Sequence, residues 1–121
     1  MFVSEQQLCF RDKRNIVQCC ENGKIYRAHN RSNKTVALFH VDNGQNPTIK
    51  KCDYAIEVDD NVLIILIELK GADIKTASEQ IYSTIETLNL KCQKVKILVR
   101  IILSKVKLPD VRSSQYITRV Q

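Results

Sequence analysis

Two apolar runs separated by three polar residues constrain this chain more than any other feature. Residues 48–70 read TIKKCDYAIEVDDNVLIILIELK, and the second run holds Leu63, Ile64, Ile65, Leu66, Ile67 and Leu69. Such a run suits a strand buried on both faces. With Asp60 and Asn61 as a two-residue hairpin loop, Asp59 opposes Val62 and, counting outward, Asp53 opposes Glu68. Lys70 lies two residues beyond Glu68, on the same face of its strand as Glu68, Leu66 and Ile64. Like charges directly opposed destabilise a sheet, and burial raises the cost. A divalent cation resolves that conflict, because Asp and Glu oxygens suit Mg²⁺ or Mn²⁺. The competing reading leaves Asp53, Glu68 and Lys70 on a solvent-facing side of the hairpin.

The pattern of Asp53, fourteen intervening residues and then Glu68-Leu69-Lys70 at the end of an apolar strand resembles the PD-(D/E)xK nuclease superfamily. The resemblance spans about residues 36–102, and Cys52 stands where the superfamily usually has Pro. It implies that Asp53 and Glu68 are metal ligands, joined by the main-chain carbonyl of Leu69. Lys70 would orient the nucleophilic water or stabilise transition-state charge. Gln80 is similar to the Gln that follows the motif in some branches and is a further catalytic candidate, although position 84 is Thr where that branch has Tyr. The implied cofactor is Mg²⁺ or Mn²⁺, and the implied activity is hydrolysis of phosphodiester bonds in nucleic acid, DNA foremost. Glu57 and Asp73 are possible additional acids. Glu57 shares the face of Asp53 but is separated from it by about 13 Å of regular strand.

The remaining elements follow from periodicity. Ser4 and Gln7 fit a capping box, and Leu8, Cys9, Ile16, Cys19 and Cys20 line one broad side of a helix ending near Glu21, with Asn22-Gly23 as its stop. The charged run Arg11-Asp12-Lys13-Arg14 is a place where that helix can break. Glu5 and Glu21 on this helix are candidates to lend an acid to the metal, against simple surface exposure. Residues 24–34 read as a polar, basic loop that contacts phosphates or merely connects. Strands follow over 36–41, 48–58 and 62–70 as an antiparallel meander. A helix over 74–89 carries Ile74, Ala77, Ile81, Ile85 and Leu88 on one stripe, and a strand over 95–103 returns parallel to the third strand. Residues 114–121 are a short extra strand or helix. The expected order is therefore αβββαβ with a mixed sheet, an α/β (α+β) restriction-endonuclease-like core in one domain over 1–121.

Charge and cysteine usage narrow the setting. The 121 residues carry a net charge of +6 and a pI of about 9.2, which favours a polyanionic partner. No run approaches the roughly eighteen apolar residues of a membrane span, and the N-terminus lacks a signal-peptide layout. The five cysteines are odd in number and show no CxxC spacing, which points to reduced thiols in a cytoplasmic chain rather than a zinc site. His29 and His40 are isolated and read as structural or surface residues. So small a nuclease has little room for a target-recognition domain, so a homodimer acting on nucleic-acid shape, as resolvases do, or a subunit of a larger complex fits equally, in repair or phage defence. The alternatives are a nucleic-acid-binding or assembly module that keeps the fold without turnover, and an unrelated small α/β interaction protein.

Overall fold

The structure is a computed structural model that describes residues 3–21, 23–42, 51–59, 62–71 and 73–103; of Lys70 it describes the main chain only. Among the described residues, seven strands and one α-helix follow in the order β1 (Leu8–Asp12), β2 (Ile16–Glu21), β3 (Lys24–His29), β4 (Val36–His40), β5 (Tyr54–Val58), β6 (Leu63–Gly71), α1 (Ile74–Thr87) and β7 (Lys96–Leu103). Short 3₁₀ turns at Glu5–Gln7 and Leu90–Cys92 precede β1 and β7.

The five-stranded sheet runs β1-β4-β5-β6-β7. Strands β4, β5 and β6 form the expected antiparallel meander, and β7 is parallel to β6 across α1. The β5–β6 register is the inferred one, with Tyr54 opposite Ile67 and Val58 opposite Leu63. The ladder stops at those two pairs, so neither Asp59/Val62 nor Asp53/Glu68 is a ladder pair. Asp59 takes the positive φ of the connection (54°), and Asp60 and Asn61 lie outside the described residues.

The expected N-terminal helix is replaced by strands. Residues 16–21 alternate strictly between exposed and buried up to Cys20, the signature of a half-covered strand. Glu21 pairs with Lys24, so β2 and β3 form a hairpin, with Gly23 at φ 78°; Asn22 lies outside the described residues. An Asn-Gly between alternating runs is a hairpin signal, and it outweighs the helix-stop reading of the same dipeptide. Ser4 does cap, but only the single 3₁₀ turn: its Oγ accepts the Gln6 N–H at 3.3 Å. Gln7, instead of reaching back to Ser4, donates from Nε2 to the Val41 carbonyl at 2.7 Å. The charged run ends β1, where Arg14 forms a forked pair with Asp12 and lies over the Phe10 ring. The supposed loop at 24–34 is mostly β3.

Each face of the sheet has its own cover. Ala37, Phe39, Ala55, Ile64, Leu66 and Ile101 pack on one face beneath Ala77 and Ile81 of α1, with Val3 and Leu90 completing that layer. Val36, Leu38, Ile56, Ile65, Ile67, Leu69 and Leu98 pack on the other face beneath Val17 and Cys19 of the β2–β3 hairpin. Burial on both faces explains why the central strands read as unbroken apolar runs rather than alternating ones. The helix forms where expected: Asp73 is its N-cap, accepting the Thr76 N–H at 2.7 Å, and it ends two residues before the expected Asn89. Among the described residues no helix is long and apolar enough to cross a membrane. The expected element at 114–121 lies outside the described residues, as do the first three residues of the expected second strand.

Candidate functional site

Asp53 lies just before β5, and Glu68 lies near the end of β6. The two occupy neighbouring strands one step past the last ladder pair, Tyr54 and Ile67. Both have 0% solvent exposure. Their contact with the fold runs through the main chain as well as the side chains: Asp53 Oδ2 accepts the Leu69 N–H at 2.6 Å. That hydrogen bond draws the start of β5 against the Glu68-Leu69-Lys70 segment.

That segment is irregular for a definite reason. Glu68 pairs with Ile101 of β7, but the next pair is Gly71 with Leu103, so β6 holds one residue more than its partner. A bulge of this kind bends the strand and releases main-chain groups from the regular ladder. Leu69 is buried on the hairpin side, and the side chain of Lys70 lies outside the described part of the structure.

The other candidates separate into distinct places. Gln80 lies half-buried on α1, where its Nε2 donates to the Lys51 carbonyl at 3.4 Å. Glu57 is buried on the α1 side of the sheet, and its Oε2 accepts the Val3 N–H at 3.0 Å. Asp73 is spent on capping α1; the Thr76 main-chain N–H, then the Thr76 hydroxyl, hold its carboxyl below the usual range. Glu5 is exposed and pairs with Arg11 at 2.9 Å, and Glu21 closes the β2–β3 hairpin. His40 stacks on its cross-strand partner Tyr54 with ring centroids 4.7 Å apart. Among the described residues no three His, Cys, Asp or Glu side chains gather as a ligand cluster.

No family model, curated protein or solved structure matches the chain. The chemistry of the site therefore has to be argued from its own donors. The carboxylates of Asp53 and Glu68 are hard oxygen donors, the chemical type that suits Mg²⁺ or Mn²⁺ rather than softer metals. Thiol chemistry is not offered there. Burial pushes the Cys52 thiol up to about 12; the Thr84 hydroxyl opposes that shift, and the charges of Glu68 and Asp53 add to it. Cys19, on the inner face of the hairpin, is likewise pushed up to about 12 by burial first, then by Cys20 and Asp53. Both are neutral thiols at pH 7, and the thiolate is the nucleophilic form.

One residue escaped notice as a contributor. Thr84 is fully buried, and its Oγ1 accepts the Cys52 N–H at 2.7 Å. Its signal was a polar residue in register with Ala77, Ile81 and Leu88 on the apolar stripe of α1. A hydroxyl placed there must find buried partners or cost free energy.

Proposed function

We propose that this chain is a metal-dependent nuclease that hydrolyses phosphodiester bonds of nucleic acid, DNA foremost, on a restriction-endonuclease-like core of the PD-(D/E)xK superfamily. The observation that carries the reading is the 2.6 Å hydrogen bond from the Leu69 N–H to the buried Asp53 carboxylate, which ties together the two halves of the Asp…Glu-x-Lys pattern. The βββαβ part of the mixed sheet is the arrangement that the superfamily resemblance calls for.

In this reading Asp53, Glu68 and the Leu69 carbonyl hold the cation. A bound Mg²⁺ or Mn²⁺ supplies Lewis acidity toward a phosphoryl oxygen and acidifies a coordinated water. Asp53 is fixed in place by the Leu69 amide, so its carboxylate enters the reaction already oriented. Lys70, by its place in the pattern, orients the attacking water or offsets charge that develops on the phosphate. The +6 charge supplies the non-specific attraction to a polyanion. A homodimer, or a subunit of a larger complex, accommodates a duplex better than one chain of this size.

A second reading is favoured by one observation: both acids have 0% exposure, so a phosphate reaches them only after local opening. A non-catalytic nucleic-acid-binding or assembly module needs no such opening.

One experiment separates the two. Linear, circular, single-stranded and branched nucleic acids are incubated with the protein in Mg²⁺ or Mn²⁺ and in EDTA. The nuclease reading expects metal-dependent cleavage that Asp53→Ala, Glu68→Ala and Lys70→Ala each abolish. Cleavage in EDTA, or full activity of Asp53→Ala, rejects it. Binding without cleavage, with log K falling by about 0.9 per neutralised phosphate as log salt rises, supports the binding module instead.

A further inference from the structure

Asp53 does not hold its position alone. Residues 51–53 precede the β5 ladder, so the Cys52 N–H is satisfied by a side chain, the Thr84 hydroxyl at 2.7 Å. The same hydroxyl donates its one proton to the Gln80 carbonyl at 2.8 Å. One turn earlier on α1, the Gln80 side chain donates to the Lys51 carbonyl at 3.4 Å. On its other side Asp53 is tied to the end of β4, because its carbonyl accepts the N–H of Val41, the residue after that strand, at 2.9 Å. The carboxylate then reaches the Leu69 amide of β6 at 2.6 Å. Three contacts thus converge on this short segment: α1 through the Lys51-Cys52 peptide, Val41 after β4 through the Asp53 carbonyl, and β6 through the Asp53 carboxylate.

The α1 contact is the one that sets direction. A hydrogen bond to the N–H of residue 52 fixes the Lys51-Cys52 peptide plane, one residue before Asp53, and so fixes the path by which the chain reaches Asp53. Thr84 is buried and β-branched, so its rotamer is restricted and its hydroxyl is rigidly presented. We infer that Thr84, backed by Gln80, is a positioning residue that fixes the Lys51-Cys52 segment and so aims the Asp53 carboxylate at the Leu69 amide and the Glu68-Leu69-Lys70 end of β6. The inference deepens the metal-site reading and rests on it for what Asp53 is aimed to do. The aiming itself is measurable without a metal.

The test follows amide hydrogen exchange at Leu69 by NMR, with Ile65 and Leu66 of the same strand as internal references. Wild type, Thr84→Val, Thr84→Ser and Gln80→Ala are compared, and each is then melted with and without Mn²⁺. Thr84→Val keeps the shape and removes the hydroxyl, so exchange at Leu69 should accelerate about tenfold relative to Ile65 and Leu66. Thr84→Ser restores the hydroxyl and should restore the wild-type ratio. Gln80→Ala, at a half-buried site that tolerates truncation, should shift the ratio in the same direction by less, and it carries the test if Thr84→Val does not fold. A purely packing role for Thr84 would speed all three amides alike or leave the ratio unchanged, and either result overturns the inference. If the ratio changes as expected while Mn²⁺ raises no melting temperature, wild type included, the positioning role stands and the metal reading falls. If Mn²⁺ stabilises wild type and Thr84→Val equally, with the ratio unchanged, the metal reading stands and the positioning role falls.

Discussion

The two faces of the central sheet are built from the same strands but covered very differently. On the α1 side a fourteen-residue helix closes over Phe39, Ile64 and Leu66, and Glu57, Glu68 and Thr84 are buried among them. On the hairpin side two strands cover Ile56, Ile65 and Ile67, and an open pocket of about 260 Å³ remains between the hairpin and the sheet. Its floor is Val17, Val36, Ile56, Val58, Leu63 and Ile65, and Arg31 and Lys34 stand at its rim. The helix side therefore carries buried polar groups, each of which needs a partner. The hairpin side is lined by apolar side chains around that pocket. Buried polar groups are costly unless satisfied, so a fold that keeps several on one face must hold that face rigidly. Glu68 of the candidate site lies on that face, in alternation with Ile64 and Leu66.

Deep truncations should expose this difference most strongly. Phe39→Ala, on the helix side with no exposure, should destabilise the fold by about 3–5 kcal/mol. Ile64→Val, also on the helix side, should lie near the upper end of about 0.5–1.5 kcal/mol, and Ile65→Val near the lower end, because Ile65 lines the pocket. Urea unfolding measures all three. Equal costs for Ile64→Val and Ile65→Val would erase the packing contrast between the faces.

The buried thiols probe the same contrast kinetically. Cys9, Cys20 and Cys92 are exposed, whereas Cys19 lies under the hairpin and Cys52 on the helix side. A thiol-reactive dye should label three cysteines quickly in the native protein and all five in denaturant. Of the two slow sites, Cys19 (5% exposed) should react before Cys52 (0% exposed), because a two-stranded cover opens more easily than a packed helix. If Cys52 reacts first, the α1 side is the mobile one.

The smallest effect is a pH dependence confined to the start of α1. The Thr76 N–H, foremost, and its hydroxyl lower the Asp73 carboxyl from its ordinary 3.8. A lowered folded-state value contributes stability that is complete above 3.8 and is lost as pH falls through the folded value. Helix circular dichroism should thus show a small acid-induced loss below that pH in wild type, and Asp73→Asn should flatten it while keeping a cap. An unchanged titration in Asp73→Asn would assign the acid sensitivity to other carboxylates.

Local pattern alone decided the parts of the chain whose periodicity has a single interpretation. The run from Leu63 to Leu69 had to be a strand buried on both faces, and turn geometry was enough to set the β5–β6 register. The stripe of Ala77, Ile81 and Leu88 marked α1, and the helix between two strands made β7 parallel to β6. The N-terminal stretch was ambiguous because short apolar positions can satisfy period two and helical spacing together. Ile16, Cys19 and Cys20 fit helical spacing while Val17 and Cys19 fit a two-residue alternation, and Asn22-Gly23 serves equally as a helix stop or a hairpin loop. Only the sheet broke that tie, because its second face needed an apolar cover and a hairpin with Val17 and Cys19 pointing inward supplied one. The candidate site divides the same way. The spacing of Asp53 and Glu68 was legible, since strand register follows from counting. The bulge at Leu69-Lys70, the hydrogen bond from the Leu69 amide to Asp53 and the hold of Thr84 on Cys52 were not. Each joins residues on different elements, and hydrogen-bond geometry between elements is decided by how they pack.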